Sequence, residues 1–171
     1  EMEYDILVIG LGGETDFFDT PTPRIPGLRQ YVFEVQTMPL ASRAWEHIQE
    51  VLYQYVKDEG SKLPVHFVVG GGGSTGVEVA GQLADELPHW CRQYDLPEQA
   101  AVLHLIEAGG RLLPGFHPRI SLYAEKVLRK RGVVIHLGEP IVRVERDSVH
   151  LASGTLVPTR TLIWAGGIRG H

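Results

Sequence analysis

Gly71, Gly73 and Gly76 stand at the spacing Gly-x-Gly-x-x-Gly, directly after the apolar run Val65-His66-Phe67-Val68-Val69-Gly70 and ahead of a helical pattern. Three glycines so placed suit the binding of a dinucleotide pyrophosphate. The first permits a tight turn, the second lets backbone approach the phosphates, and the third lets the helix pack on the strand. The N–H groups and dipole of the helix then meet the anion, with Ser74 and Thr75 at the loop's exit. Glycine loops also make ordinary turns, so the spacing alone is weak. Its position between a strand and a helix, with an acid ending the next strand, makes it stronger.

That acid is Glu107, last in Ala101-Val102-Leu103-His104-Leu105-Ile106-Glu107. A carboxylate there accepts hydrogen bonds from the adenosine ribose hydroxyls and repels a 2′-phosphate, which favours NADH over NADPH. A solvated carboxylate at a strand end is the plainer alternative. Arg111 complicates the preference, because an arginine can pair with a 2′-phosphate. Glu78 has two readings. Thr75-x-x-Glu78 matches a capping box, and the same carboxylate could face a reaction centre. The residue types leave both open. Ala165-Gly166-Gly167 closes the last strand, where small residues admit a ligand or another backbone; a plain turn is the alternative.

Other chemistry finds little support. The eight histidines show no His-x-x-x-His pair and no Cys/His spacing, so no metal is expected. There is no Gly-x-Ser-x-Gly elbow, and Cys91 has no evident base beside it. The single cysteine excludes an internal disulfide and a CxxC redox pair. Trp45, Trp90 and Trp164 read as packing residues rather than stacking platforms.

The elements that must position these residues follow from periodicity. Tyr4 to Ile9 reads as a short buried strand; Gly10-Leu11-Gly12-Gly13 after it fails as a phosphate loop, since no helix follows. Thr20 to Gly27 is a proline-rich loop. Pro39 to about Lys57 is helical, with Leu40, Ala44, Ile48, Val51, Leu52 and Tyr55 on one face. The fingerprint helix runs from about Thr75 to Leu87 and ends near Pro88, with a polar connection over His89 to Gln99. Pro118 to Arg131 is a helix with proline near its start and Gly132 past its end. Strands follow at 133–137, 141–145, 148–151 and 161–164. The expected fold is α/β: a Rossmann-like parallel sheet with helices on one face and a small antiparallel β-meander on the other.

With 171 residues the chain is one domain, or one domain with flanks. Net charge is −5 with no basic stripe, which argues against nucleic acid as a partner. No apolar run reaches membrane-spanning length.

Several phrases together carry a family resemblance. They are Tyr4 to Thr15, Ile25-Pro26-Gly27-Leu28, Val68 to Gly81, Leu105-Ile106-Glu107-Ala108-Gly109-Gly110-Arg111-Leu112-Leu113-Pro114, and Ile163-Trp164-Ala165-Gly166-Gly167-Ile168-Arg169. The chain resembles the pyridine nucleotide-disulfide oxidoreductase superfamily, and within it the type II NADH dehydrogenases, single-subunit NADH:quinone oxidoreductases. That resemblance implies two Rossmann-like domains in the whole protein, an FAD domain with an NADH domain inserted in it. Residues 1–35 would be a flank from the FAD domain and linker, 36–160 the NADH-binding domain, and 161–171 the return strand. The FAD site, the quinone site and a membrane-contacting C-terminal part would lie in regions that this sequence does not contain, so the chain reads as a fragment.

Carried over by motif, Gly71, Gly73, Ser74, Thr75 and Gly76 would line the pyrophosphate and Glu107, with Arg111 nearby, the adenosine ribose. Glu78 would stand where nicotinamide meets flavin, as the catalytic position, and Ala165 and Gly167 would border the nicotinamide. Ser74 replaces a proline common in this loop. The resemblance implies hydride transfer from NADH to FAD and electrons onward to a quinone. The location implied is cytoplasmic, peripheral on the inner face of a membrane. Alone, the chain is expected to bind NADH, to catalyse nothing, and to pair between copies through exposed flanks. The alternatives are the same domain of an NADH-dependent ferredoxin or sulfide:quinone reductase, and a stand-alone NAD-sensing module without redox activity.

Overall fold

The computed structural model of the chain describes residues 4–8, 10–18, 24–57 and 64–170. Residue 9, the first half of the proline-rich loop, residues 62 and 63, and His171 lie outside the described residues.

The elements, in chain order, are β1 (Gly13–Thr15), α1 (Leu28–Tyr31), β2 (Val32–Glu34), α2 (Met38–Lys57), β3 (Val65–Gly70), α3 (Ser74–Gln93), a 3-10 turn (Glu98–Ala100), β4 (Ala101–Glu107), α4 (Pro118–Lys130), β5 (Val134–Leu137), β6 (Ile141–Val144), β7 (Ser148–Leu151), β8 (Leu156–Pro158), β9 (Thr161–Trp164) and β10 (Ile168–Gly170). Five strands form one parallel sheet in the order β2-β9-β3-β4-β5. β6, β7 and β8 form an antiparallel meander, and β1 pairs with β10 as an antiparallel ribbon.

Strand alternation divides the core in two. Phe67, Val69, Leu103, Leu105, Ile135 and Ile163 face α2, α3 and α4. Val68, Ile106 and Leu162 face the other way, onto Ile141, Val149 and Val157 of the meander. The sheet therefore carries helices on one face and the meander on the other, as the pattern of the sequence requires. Ala44, Ile48 and Leu52 form the fully buried stripe of α2, and Val51 packs beside them.

Two expectations need correction. Residues 4–8 are not a buried strand: they belong to no sheet, and Ile6 and Val8 are 83% and 85% exposed. An apolar strand is stable only when its edge finds a partner, and no described strand of this chain supplies one. α3 does not stop near Pro88. It continues through the proline to Gln93 because the next turn is anchored: Trp90 and Cys91 are buried, and Trp90 meets Trp45 edge to face with ring centroids 6.1 Å apart. The lost N–H of Pro88 is outweighed by that burial. β1, β8 and β10, three residues each, are too short to leave a period in the sequence. β2 (Val32–Glu34) and β9 (Thr161–Trp164) both belong to the five-stranded sheet, with β9 an inner strand.

On the meander face three histidines from adjacent strands stand in a row. His66 Nδ1 lies 2.8 Å from His104 Nε2, and His104 Nδ1 lies 3.1 Å from His136 Nε2. Burial, then the neighbouring His66 and His136, lower the His104 pKa to about 4. No described helix is long and apolar enough to cross a membrane.

Candidate functional site

A cleft of about 480 Å³ opens at the carboxyl ends of β9, β3 and β4. Such a crevice is the usual ligand position in an open parallel sheet, and its size suits a small molecule. Its floor is the glycine loop.

Each fingerprint glycine is needed for a different reason. Gly71 leaves β3 with φ 111°, and its N–H donates to the Ile106 carbonyl at 2.8 Å. A Cβ at Gly71 would collide with the Ala165 carbonyl, and one at Gly76 with the Gly71 carbonyl. Gly76 thus lets α3 sit directly on the turn. Gly73 is different: a Cβ there would meet nothing within 4 Å, although Gly73 lines the cleft. The space above it is open to an incoming group. Gly73 is also the N-cap of α3, with no side-chain cap. Of the two readings left open for Glu78, the capping box with Thr75 is therefore excluded, because Thr75 already lies inside the first turn. The first N–H groups of the helix stay without a side-chain partner, pointing to where an anion would sit.

Glu107 comes from the adjacent strand and is held by two backbone donors. Gly72 N–H donates to its Oε2 at 2.6 Å and Gly109 N–H to its Oε1 at 2.6 Å. A Cβ on Gly72 would overlap the Glu107 side chain and Leu112, so this residue, the unspecified position of the motif, also has to be glycine. Each carboxylate oxygen keeps lone pairs for a further donor. The loop after β4 folds back onto the glycine loop. Leu113 N–H donates to the Gly72 carbonyl at 2.7 Å, with Leu113 at φ 51°.

The structure brings Gly71, Gly73, Ser74, Thr75, Glu107, Ala165 and Gly167 together around the cleft. Gly76 lies beneath it. Glu78 and Arg111 do not line it. Glu78 is exposed on α3, one turn beyond Ser74 on the same helix face. Arg111 donates to the carbonyls of Phe116 at 3.0 Å and Pro114 at 2.5 Å and to Ser121 Oγ at 3.3 Å. Its guanidinium shapes the loop that carries Pro114, a cleft wall.

Sequence reasoning missed the far wall. Thr15, Val35, Gln36, Trp164 and Ile168 line the cleft at the β9 and β2 end. Trp164 does pack, as expected: its indole covers Gly166, meets Phe18 edge to face, and donates from Nε1 to the Asp16 carbonyl at 2.8 Å. It contributes to the cleft as well. These residues are gathered from separate segments by strand order, and no local spacing announces them. Among the described residues no group of three or more His, Cys, Asp and Glu is arranged to hold a metal ion.

The chain is 30% identical over 172 residues to the type II NADH:quinone oxidoreductase of Staphylococcus saprophyticus, covering 98% of this chain and 42% of that protein. It is also 30% identical over 178 residues to the protein of the same name from Staphylococcus aureus, again covering 98% of this chain and 42% of the relative. The chain thus spans about two fifths of the length of these curated relatives. Among solved structures, NDH2 from Plasmodium falciparum in complex with NADH superposes with a TM-score of 0.86 at 25% identity, over 99% of this chain and 36% of that one. The water-forming NADH oxidase from Lactobacillus brevis, bound to NADH, shares the fold at a TM-score of 0.61 and 19% identity, over 86% of this chain and 28% of that one. The sequence model of the pyridine nucleotide-disulphide oxidoreductases matches residues 1–171, and the chain belongs to that family.

Proposed function

We propose that this chain is the NADH-binding part of an FAD-dependent NADH:quinone oxidoreductase. The observation that carries the reading is the paired arrangement of an uncapped helix N-terminus over open space at Gly73 and a carboxylate fixed beside it at Glu107. An anion receptor and a hydroxyl acceptor on neighbouring strands match the pyrophosphate and adenosine ribose of a dinucleotide.

In this reading the Gly71–Gly76 loop, with Ser74 and Thr75, holds the pyrophosphate. Glu107 accepts from the ribose hydroxyls, and its fixed negative charge disfavours a 2′-phosphate. Because both oxygens are already oriented by backbone N–H groups, no side-chain rotamer search is needed on binding. Arg111, turned to its own loop, supports this end without competing for Glu107. Ala165 and Gly167 border the other half of the cleft, where the nicotinamide lies. Glu78 follows Ser74 along the exposed face of α3 and stands ready to meet the flavin side of a larger protein. Hydride and electron transfer belong to the bound cofactors, and this chain's residues bind and orient.

The FAD site, the quinone site and any membrane contact are assigned to the rest of the protein, consistent with the length of the relatives. The segments up to residue 35 and beyond 160 lead to that FAD domain, although β2 and β9 themselves complete the NADH-side sheet.

Calorimetric titration of the chain with NADH and, separately, NADPH tests the reading. Saturable NADH binding, weaker for NADPH and reduced about tenfold or more in Glu107→Ala, is expected from the loss of charge-assisted hydrogen bonds. No heat from either nucleotide at millimolar concentration would overturn it.

A further inference from the structure

The wall facing the glycine loop is built from a ribbon that lies outside the main sheet. β1 and β10 pair in it through Gly13–Thr15 and Ile168–Gly170. Trp164 donates to the Asp16 carbonyl at 2.8 Å, and Asp16 N–H donates to Gly167 at 3.0 Å. Gln36 adds a different tie. It follows β2 by two residues, and its side-chain amide spans β1. Its Nε2 donates to the Gly13 carbonyl, and its Oε1 accepts from Thr15 Oγ1 at 3.2 Å. Thr15 is buried, while Gln36 is exposed, and both line the cleft.

The position along the cleft matters. With Glu107 on β4 at one end and the glycine loop over β3 in the middle, Gln36 stands past β9 at the other end, beside β2. A dinucleotide laid from Glu107 across the loop puts its second nucleoside there. We infer that Gln36 is a positioning residue for the nicotinamide half: by bridging Gly13 and Thr15 it fixes the ribbon as the wall against which that half is placed. A primary amide using both its donor and its acceptor on one strand holds that strand in a single register and distance, which a one-point contact does not. The second N–H of Gln36 and a lone pair on Oε1 remain for the ligand.

This inference rests on the dinucleotide reading, and the test separates the two. NADH and ADP-ribose share the adenosine, pyrophosphate and second ribose, and only NADH carries the nicotinamide. Both are titrated calorimetrically into the chain, into Gln36→Leu, and into Thr15→Val, which removes one of the two bonds. Gln36→Leu is expected to weaken NADH about tenfold while ADP-ribose stays within about twofold. Thr15→Val should fall between Gln36→Leu and the unaltered chain for NADH. Equal losses for both ligands would reduce Gln36 to general structural support, and unchanged NADH affinity would exclude a role; either result overturns the inference while leaving the dinucleotide site standing. Failure of the unaltered chain to bind ADP-ribose or NADH would remove the site itself, and the inference with it.

Discussion

Gly73 and Gly76 are three positions apart, yet a methyl group acts on them by different routes. At Gly76 it meets the Gly71 carbonyl, so the turn or the helix must shift. Gly76→Ala is expected to destabilise the fold by about 1–3 kcal/mol, as overpacking of a fixed backbone contact does. At Gly73 the methyl group has free space within the protein and enters the cleft instead. Gly73→Ala should keep its melting temperature within a few degrees and lose NADH binding at least tenfold. Thermal melts with parallel titrations check both. A large drop in Tm for Gly73→Ala, or retained affinity, would contradict the assignment of that space to a ligand. The same scale explains why Gly72 matters although no motif names it. Its N–H and its missing Cβ both serve Glu107, so the carboxylate and the loop are one unit.

At the scale of elements, the histidine row makes the sheet sensitive to acid. His66, His104 and His136 come from β3, β4 and β5 and contact each other only because those strands are neighbours. His104 has both nitrogens engaged, so it stays neutral, one nitrogen donating and one accepting. Burial lowers all three pKa values, most strongly for His104, to about 4; Glu139 opposes this at His136 and Arg129 reinforces it. Above about pH 6.5, the ordinary histidine value, folded and unfolded chains are both neutral here. Between there and about pH 4 the unfolded chain takes up protons that the folded row refuses. Stability therefore falls as pH falls through that window. Urea unfolding at pH 7.5 and 5 should show a lower midpoint at the acid end, and His104→Leu should flatten that dependence. An equal dependence in the variant would exclude the row as its source.

At the scale of the whole molecule, the exposed apolar segment is the main imbalance. Ile6, Leu7, Val8 and Leu11 are 58–85% exposed, close together in sequence and without sheet partners. Such a segment offers unpaired backbone and apolar surface to any matching strand. Light scattering over a concentration series should show self-association, reduced when Ile6 and Val8 are both changed to serine; a constant monomer mass would count against it. Catalysis should likewise be missing at this scale. Under the proposed function this chain's residues bind and orient NADH, and the group that accepts hydride is assigned elsewhere. The near-ultraviolet absorbance of NADH should stay constant on mixing with the chain and a soluble quinone, and a steady fall would mean that the chain carries an acceptor site of its own.

Sequence alone determined the parts that local chemistry dictates. Alternation and helical period placed β3, β4, α2 and α4 within a residue or so, because those segments bury one face and expose another. The Gly-x-Gly-x-x-Gly spacing and the acid at Glu107 were legible because turn, helix start and strand end are short-range features. The tertiary structure decided what depends on which strand lies beside which. It made Gly73 rather than Thr75 the helix cap, carried α3 through Pro88 on the burial of Trp90 and Cys91, and turned Arg111 toward its own loop. It set β9 inside the sheet, and so brought Gln36 and Thr15 across the cleft from the glycines. No spacing along the chain encodes that meeting, because it is the packing of distant strands that creates it.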